Sequence, residues 1–218
     1  MKIGILGTGM VGNTIGSKLV KLGHETMMGS RTADNEKGKE FSKVNSSKAS
    51  HGTFADAAKF GEVIFNCTSG GVSLNVLQMA GDANLNGKIL IDVSNPLDFS
   101  KGMPPILVPS LSNTTSVGEA IQSAYPDVLV VKTFNTMNTN LMMNPSLIKG
   151  EHDVFICGND EGAKNKVKEM LSWFGWKPDN IIDLGDITGS RGVEMILPLW
   201  IRLWGIYQSP NFNFKIVR

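Results

Sequence analysis

Three glycines near the start of the chain carry the most specific chemical signal. Gly7-Thr8-Gly9-Met10-Val11-Gly12 follows a short apolar run, Ile3 to Leu6, and opens a stretch with helical spacing. That context turns a weak G-x-G-x-x-G match into a dinucleotide-binding fingerprint. Gly7 permits the tight turn, Gly9 lets the backbone approach a pyrophosphate, and Gly12 lets helix and strand pack closely. The amides of Met10 and Val11 then sit at a helix N-terminus, where the dipole favours negative charge.

A protein that reads the free ribose hydroxyls of NAD places Asp or Glu about 20 residues beyond the glycines. This chain has Gly29-Ser30-Arg31-Thr32 there. No carboxylate would repel a 2′-phosphate. Ser30 and Thr32 offer hydroxyls, and Arg31 offers a planar fork suited to phosphate. The expected cofactor is NADP(H) rather than NAD(H), with Lys37 and Lys39 adding positive charge nearby.

Other chemistry is thin. Oxidation of an alcohol or hydroxy acid needs a positioned acid or base. His24 begins the second strand, His51 precedes a helix capped by Thr53, and His152 precedes a late strand. None is at a strand's C-terminal end, where open α/β sheets bind their ligands. Cys67 closes an apolar strand and reads as a small buried thiol. Lys132 ends another strand, as suited to a structural role as to that of a general acid. There is no zinc-type Cys/His cluster, no G-x-S-x-G elbow and no P-loop, and no metal is expected. An acceptor whose own ring takes a hydride needs no such group, because the cofactors carry the chemistry. Hydride transfer between NADPH and a flavin-like ring is therefore the leading reading. Two alternatives stay open: an NADP(H)-binding redox sensor without turnover, and a reductase of small carbonyl compounds with Lys132 as the acid.

The elements that must position these residues alternate strand with helix. Strands are expected at 3–6, 26–28, 63–66, 89–93, 128–132, 154–157 and 181–184, and helices at 11–22, 34–41, 53–58, 72–79, 117–124, 162–173 and 192–204. Residues 45–50 read as a loop, and 97–115, with three prolines, as a long loop of the kind that often borders a site. The fold class is α/β: a Rossmann-type, mainly parallel, doubly wound sheet with a C-terminal αβ extension. The chain reads as a single domain, 1–218, with a nucleotide-binding core over 1–135 and an extension of the same sheet over 136–218.

Composition narrows the class. The chain has 218 residues, 41% hydrophobic and 19% charged, with a net charge of +1. That balance argues against nucleic acid or anionic membrane as partner. Two cysteines, Cys67 and Cys157, cannot make a disulfide framework, so a reducing cytoplasm is expected. No secretory signal is apparent, and the longest apolar stretch, 193–207, is interrupted by Glu194, Pro198 and Arg202.

The motifs together resemble those of the NADP oxidoreductases that use the deazaflavin coenzyme F-420. The resemblance rests on Gly7 to Gly12, Gly23-His24-Glu25, Gly29-Ser30-Arg31, Asn66 to Gly70, Asp92 to Leu97, Lys132 to Thr136 and Leu184 to Glu194 with Leu197 to Trp200. The cytosolic domains of membrane metalloreductases share the pattern. The resemblance implies NADP(H) across the strand ends, with a deazaflavin or a flavin (FMN or FAD) stacked on the nicotinamide. It implies cofactor contacts from Thr8, Met10, Ser30 and Arg31, with Cys67 and Thr68 beside the cofactor. Asn95, Pro96, Asn135 and Thr136 would border the nicotinamide and the acceptor.

In the last quarter, Met195, Leu199, Leu203 and Ile206 share a helical face near Trp200 and Trp204, and Pro198 should kink or restart the helix. Two readings stand: a core helix closing the sheet, or a homodimer surface or lid. Ser209 to Phe214 could reach a neighbouring subunit.

Overall fold

The computed structural model describes residues 1–45 and 47–218. Strands β1 (Lys2–Leu6), β2 (Glu25–Ser30), β3 (Ala49–Thr53), β4 (Val63–Asn66), β5 (Ile89–Asp92), β8 (Leu129–Thr133), β9 (Val154–Gly158) and β10 (Ile181–Asp183) form one sheet in the order β3-β2-β1-β4-β5-β8-β9-β10. β6 (Leu97–Asp98) and β7 (Ile106–Leu107) make a separate antiparallel pair. The core strands are parallel, whereas β9 runs antiparallel to β8 and β10 runs alongside β9. Strand order reverses between β1 and β4, which opens a crevice at their C-terminal ends.

Alternation along the strands sorts two cores. Ile3, Ile5, Phe65, Ile91 and Val131 face one side, against Ile15 and Leu19 of α1 (Met10–Lys21), Leu141 of α7 (Thr139–Met143) and Val167 of α8 (Glu161–Trp173). Leu6, Ile64, Leu90 and Val130 face the other side, with α3 (Phe54–Phe60), α4 (Ser73–Ala80), α5 (Asp82–Leu85) and α6 (Val117–Ala124). Both faces are covered, as a parallel sheet requires. α1 stops at Gly23, whose φ of +94° is open to glycine at little cost.

Several elements differ from expectation. The loop expected at 45–50 gives way to β3 from Ala49, so His51 sits within an edge strand; Ser46 lies outside the described residues. α2 spans Glu36–Val44, because Asn35 caps it by accepting from Gly38 N at 3.1 Å. α5 and α7 had no signal in the periodicity. The 97–115 loop is pinned by the β6–β7 pair. Pro198 restarts the last helix, as α9 (Ser190–Met195) followed by α10 (Leu197–Tyr207). Residues 209–216 fold back on their own chain: Asn138 donates to Pro210 O at 2.5 Å, and Asp153 accepts from Ile216 N at 2.7 Å and from Lys215 Nζ at 2.8 Å. The segment expected to reach toward a neighbour thus also makes contacts within its own chain.

Candidate functional site

The glycine loop joins β1 to α1 at the rim of the crevice. Gly7 has φ +119°, and a Cβ there would sit 2.9 Å from Cys67 O. At Gly12 a Cβ would lie 2.2 Å from Gly7 O and 3.2 Å from Ile5 Cγ2. At Gly9 a Cβ would meet nothing within 4 Å. Gly9 N-caps α1 without a side-chain cap, so no side chain blocks the first-turn amides. Met10 stands 77% exposed beside them.

From this loop a cleft of about 800 Å³ runs past the end of β2, walled by Thr8, Ser30, Arg31, Thr32, Asn35 and Thr68 and by Val72 and Val76 before and on α4. Ser30 is buried and donates to Thr32 O at 2.5 Å, which fixes the turn. Arg31 is exposed and makes no ion pair among the described residues. Lys39 is spent on Asp34 and Glu36 instead, so the extra positive charge expected from it is neutralised. With Thr8 and the unpaired Arg31 in the cleft wall, and the open Gly9 and first turn of α1 following Thr8, the loop and cleft form a cradle that fits a phosphorylated dinucleotide.

The ends of β4, β5 and β8 hold a polar row. Asn66, Asp92 and Lys132 are cross-strand neighbours on the α4/α6 face. Asn66 Nδ2 donates to Asp92 Oδ1 at 2.8 Å, and Thr68 Oγ1 donates to Asn66 Oδ1 at 2.7 Å. Lys132 Nζ donates to Asp92 Oδ2 at 2.8 Å and to Ser94 O at 2.5 Å, and pairs with Glu194 Oε1 at 2.8 Å. Burial would lower the Lys132 pKa, but the two carboxylates outweigh it and hold the ammonium above its usual value. Fully buried and with its donors spent, Lys132 is a strand-end anchor, not an exposed proton donor. Burial, then Asp92, pushes the half-buried Cys67 thiol well above its ordinary value, which disfavours a thiolate. Burial pushes Cys157 up to about 12.

Beyond the row, Asn95 and Asn135 clasp each other. Asn95 Nδ2 donates to Asn135 O and Asn135 Nδ2 donates to Asn95 Oδ1, both at 2.9 Å, and Asn135 Nδ2 also reaches Val193 O at 2.8 Å. Pro96, Asn135 and Thr136 are buried, so they back this end of the cleft, and Asn95 alone of the four is partly exposed. Phe134 supports the clasp with φ +66°, an uncommon conformation for a bulky residue that turns the chain after β8. Sequence reasoning missed Glu194, which arrives from α9, and Ser94, whose buried hydroxyl has no partner among the described residues.

Among the described residues no cluster of His, Cys, Asp or Glu could hold a metal, and no helix is long and apolar enough to cross a membrane. Fold and cleft define a Rossmann-type NADP-binding oxidoreductase. Residues 2–96 match the family described as NADP oxidoreductase coenzyme F420-dependent. The F420-dependent NADP reductase of Methanocaldococcus jannaschii is 30% identical, over 99% of this chain and 98% of that protein. A crystal structure from Arthrobacter sp. fb24, provisionally described as an F420-dependent NADP-reductase, superposes with a TM-score of 0.92 at 47% identity, covering 100% of both chains. Metalloreductase STEAP3 of Rattus norvegicus is 31% identical over 91% of this chain, which spans only 38% of that protein's length. The chain belongs to the F420-dependent NADP oxidoreductase family, and it binds NADP(H).

Proposed function

We propose that this enzyme moves a hydride between NADP(H) and a flat redox ring, a deazaflavin or a flavin such as FMN or FAD. One observation carries the reading. At the ends of β4, β5 and β8 the charged side chains are buried and paired, and the half-buried Cys67 thiol is held well above its ordinary value, so the protein offers the acceptor no ready acid or base. A ring that takes a hydride directly and draws its proton from water suits such a site. When bound, NADPH supplies the hydride and leaves as NADP⁺.

The chain's own residues bind and orient. Gly7, Thr8, Gly9, Met10, Val11 and Gly12 hold the pyrophosphate, and Ser30, Arg31 and Thr32 hold the 2′-phosphate. Cys67, Thr68 and Asn95 flank the nicotinamide. Pro96, Asn135 and Thr136 back the acceptor side. Residues 1–135 act as the nucleotide-binding core and 136–218 as an extension of the same sheet in one domain, supported by the β8–β9 pairing. Leu199, Trp204 and Ile206 leave α10 with an exposed apolar face, which supports a homodimer. Two free cysteines suit a reducing cytoplasm.

The test is a screen of acceptor-dependent loss of NADPH absorbance with flavins, a deazaflavin, quinones and small carbonyls. Ring acceptors are expected to oxidise NADPH and carbonyls are not. Turnover with carbonyls alone would overturn the reading.

A further inference from the structure

The polar row ends in an unbalanced charge. Two carboxylates, Asp92 and Glu194, share one ammonium, Lys132, and all three side chains are essentially inaccessible. Among the described residues no second cation enters the cluster. Glu194 is further held by the first amides of α6, from Val117 at 2.8 Å and Gly118 at 3.1 Å. Ser116 and Ser190 join their hydroxyls at 2.6 Å beside it, and Arg191 is committed to Glu119. The cluster is therefore a fixed, preorganised site with a formal charge of −1.

Its position matters. The row lies at the C-terminal ends of β4, β5 and β8, the second half of the sheet. In a doubly wound sheet the dinucleotide crosses the crevice from one half to the other. The Arg31 end takes the 2′-phosphate, so the nicotinamide falls to the half that holds the row. Asp92 is two hydrogen bonds from the cleft wall, through Asn66 to Thr68.

We propose that the Asp92–Lys132–Glu194 cluster sets the redox poise of the bound cofactor, its net negative charge favouring the cationic nicotinamide of NADP⁺ over the neutral ring of NADPH. The bound pair is thereby made a stronger reductant, which suits hydride delivery to a poor acceptor. The inference rests on the proposed placement of the nicotinamide and asks more of it: the cluster discriminates between the two oxidation states. Glu194 is in this sense a positioning residue for charge, touching neither cofactor nor acceptor.

The readout is the ratio Kd(NADP⁺)/Kd(NADPH), from titrations of each form. In Glu194→Gln the ratio should rise about tenfold, the order expected for removing one buried charge at an effective dielectric constant of about 20. Ser190→Ala loosens the same α6–α9 contact without changing charge, and its ratio should match the wild type. A ratio in folded Glu194→Gln within threefold of wild type overturns the proposal, as does an equal rise in Ser190→Ala. If Glu194→Gln does not fold, Asp92→Asn decides, since it removes the other carboxylate paired with Lys132 at 2.8 Å. Its ratio should rise by a similar factor, and a ratio within threefold of wild type overturns the proposal. Failure of the wild type to bind either form would instead remove the cofactor placement itself, which separates the two readings.

Discussion

Alanine at Gly9 and at Gly12 should give opposite results. The Cβ of Gly12→Ala lies 2.2 Å from Gly7 O, so helix or strand must shift by roughly 1 Å to reach an ordinary contact. The neighbour is backbone and cannot swing aside, so the overpacking cost should be about 2–3 kcal/mol. For a chain of this size that lowers Tm by about 4–12 °C. Gly9→Ala meets nothing within 4 Å, and its φ of −73° suits alanine. A weaker N-cap and a stiffer unfolded chain roughly cancel, so stability should stay within about 0.5 kcal/mol. Its methyl instead occupies the space assigned to the pyrophosphate. Loss of one charge-assisted hydrogen bond there weakens NADPH binding about ten- to a hundredfold. Thermal melts and fluorescence titration with NADPH measure both quantities. Wild-type affinity in Gly9→Ala would refute the pyrophosphate placement. An unchanged Tm in Gly12→Ala would refute the packing argument.

Three further outcomes follow from the same structure. Arg31→Ala should weaken NADP(H) about ten- to a hundredfold and leave NAD(H) nearly unchanged, as measured by parallel titrations; equal losses would remove Arg31 from the 2′-phosphate site. Lys132→Met strands two buried carboxylates and should cost about 3–5 kcal/mol in urea denaturation, whereas a cost below about 1 kcal/mol would contradict the buried triad. Burial pulls Asp153 upward, but the Ile216 amide, Lys215 and Asn180 outweigh it and hold the carboxyl below its ordinary value. A depressed pKa in the folded state contributes stability that is present above the unfolded value of about 3.9 and lost as pH falls through the folded one, so Asp153→Asn should flatten the acid limb of a stability–pH curve.

Much of the fold could be read because apolar runs and glycines act locally. Ile3–Leu6 followed by Gly7 marked β1, and Thr53 marked the start of α3, where the structure adds Asp56 to complete a capping box. β3 stayed hidden because Ala49-Ser50-His51-Gly52-Thr53 has no apolar alternation; it pairs at the sheet edge through backbone alone. Arg31 and the glycines were legible because their chemistry is set by type and spacing. Glu194 was not: it is 62 residues from Lys132 in sequence, and only the packing of α9 on α6 brings the pair to 2.8 Å. The same pairing explains why Lys132, well placed on paper, is unavailable as an acid.

The clasp of residues 209–216 on the start of β9 bears on how the chain is made. Ile216 reaches Asp153 across 63 residues, and Asn138 reaches Pro210 across 72. Contacts of such long sequence separation form late and slow the closing steps of folding. During synthesis residues 1–135 emerge first, so the nucleotide half can consolidate while Asp153 still waits for its partners. Asp153 therefore gains its Lys215 and Ile216 partners only once the last residues have folded back, so the clasp closes after the sheet it rests on.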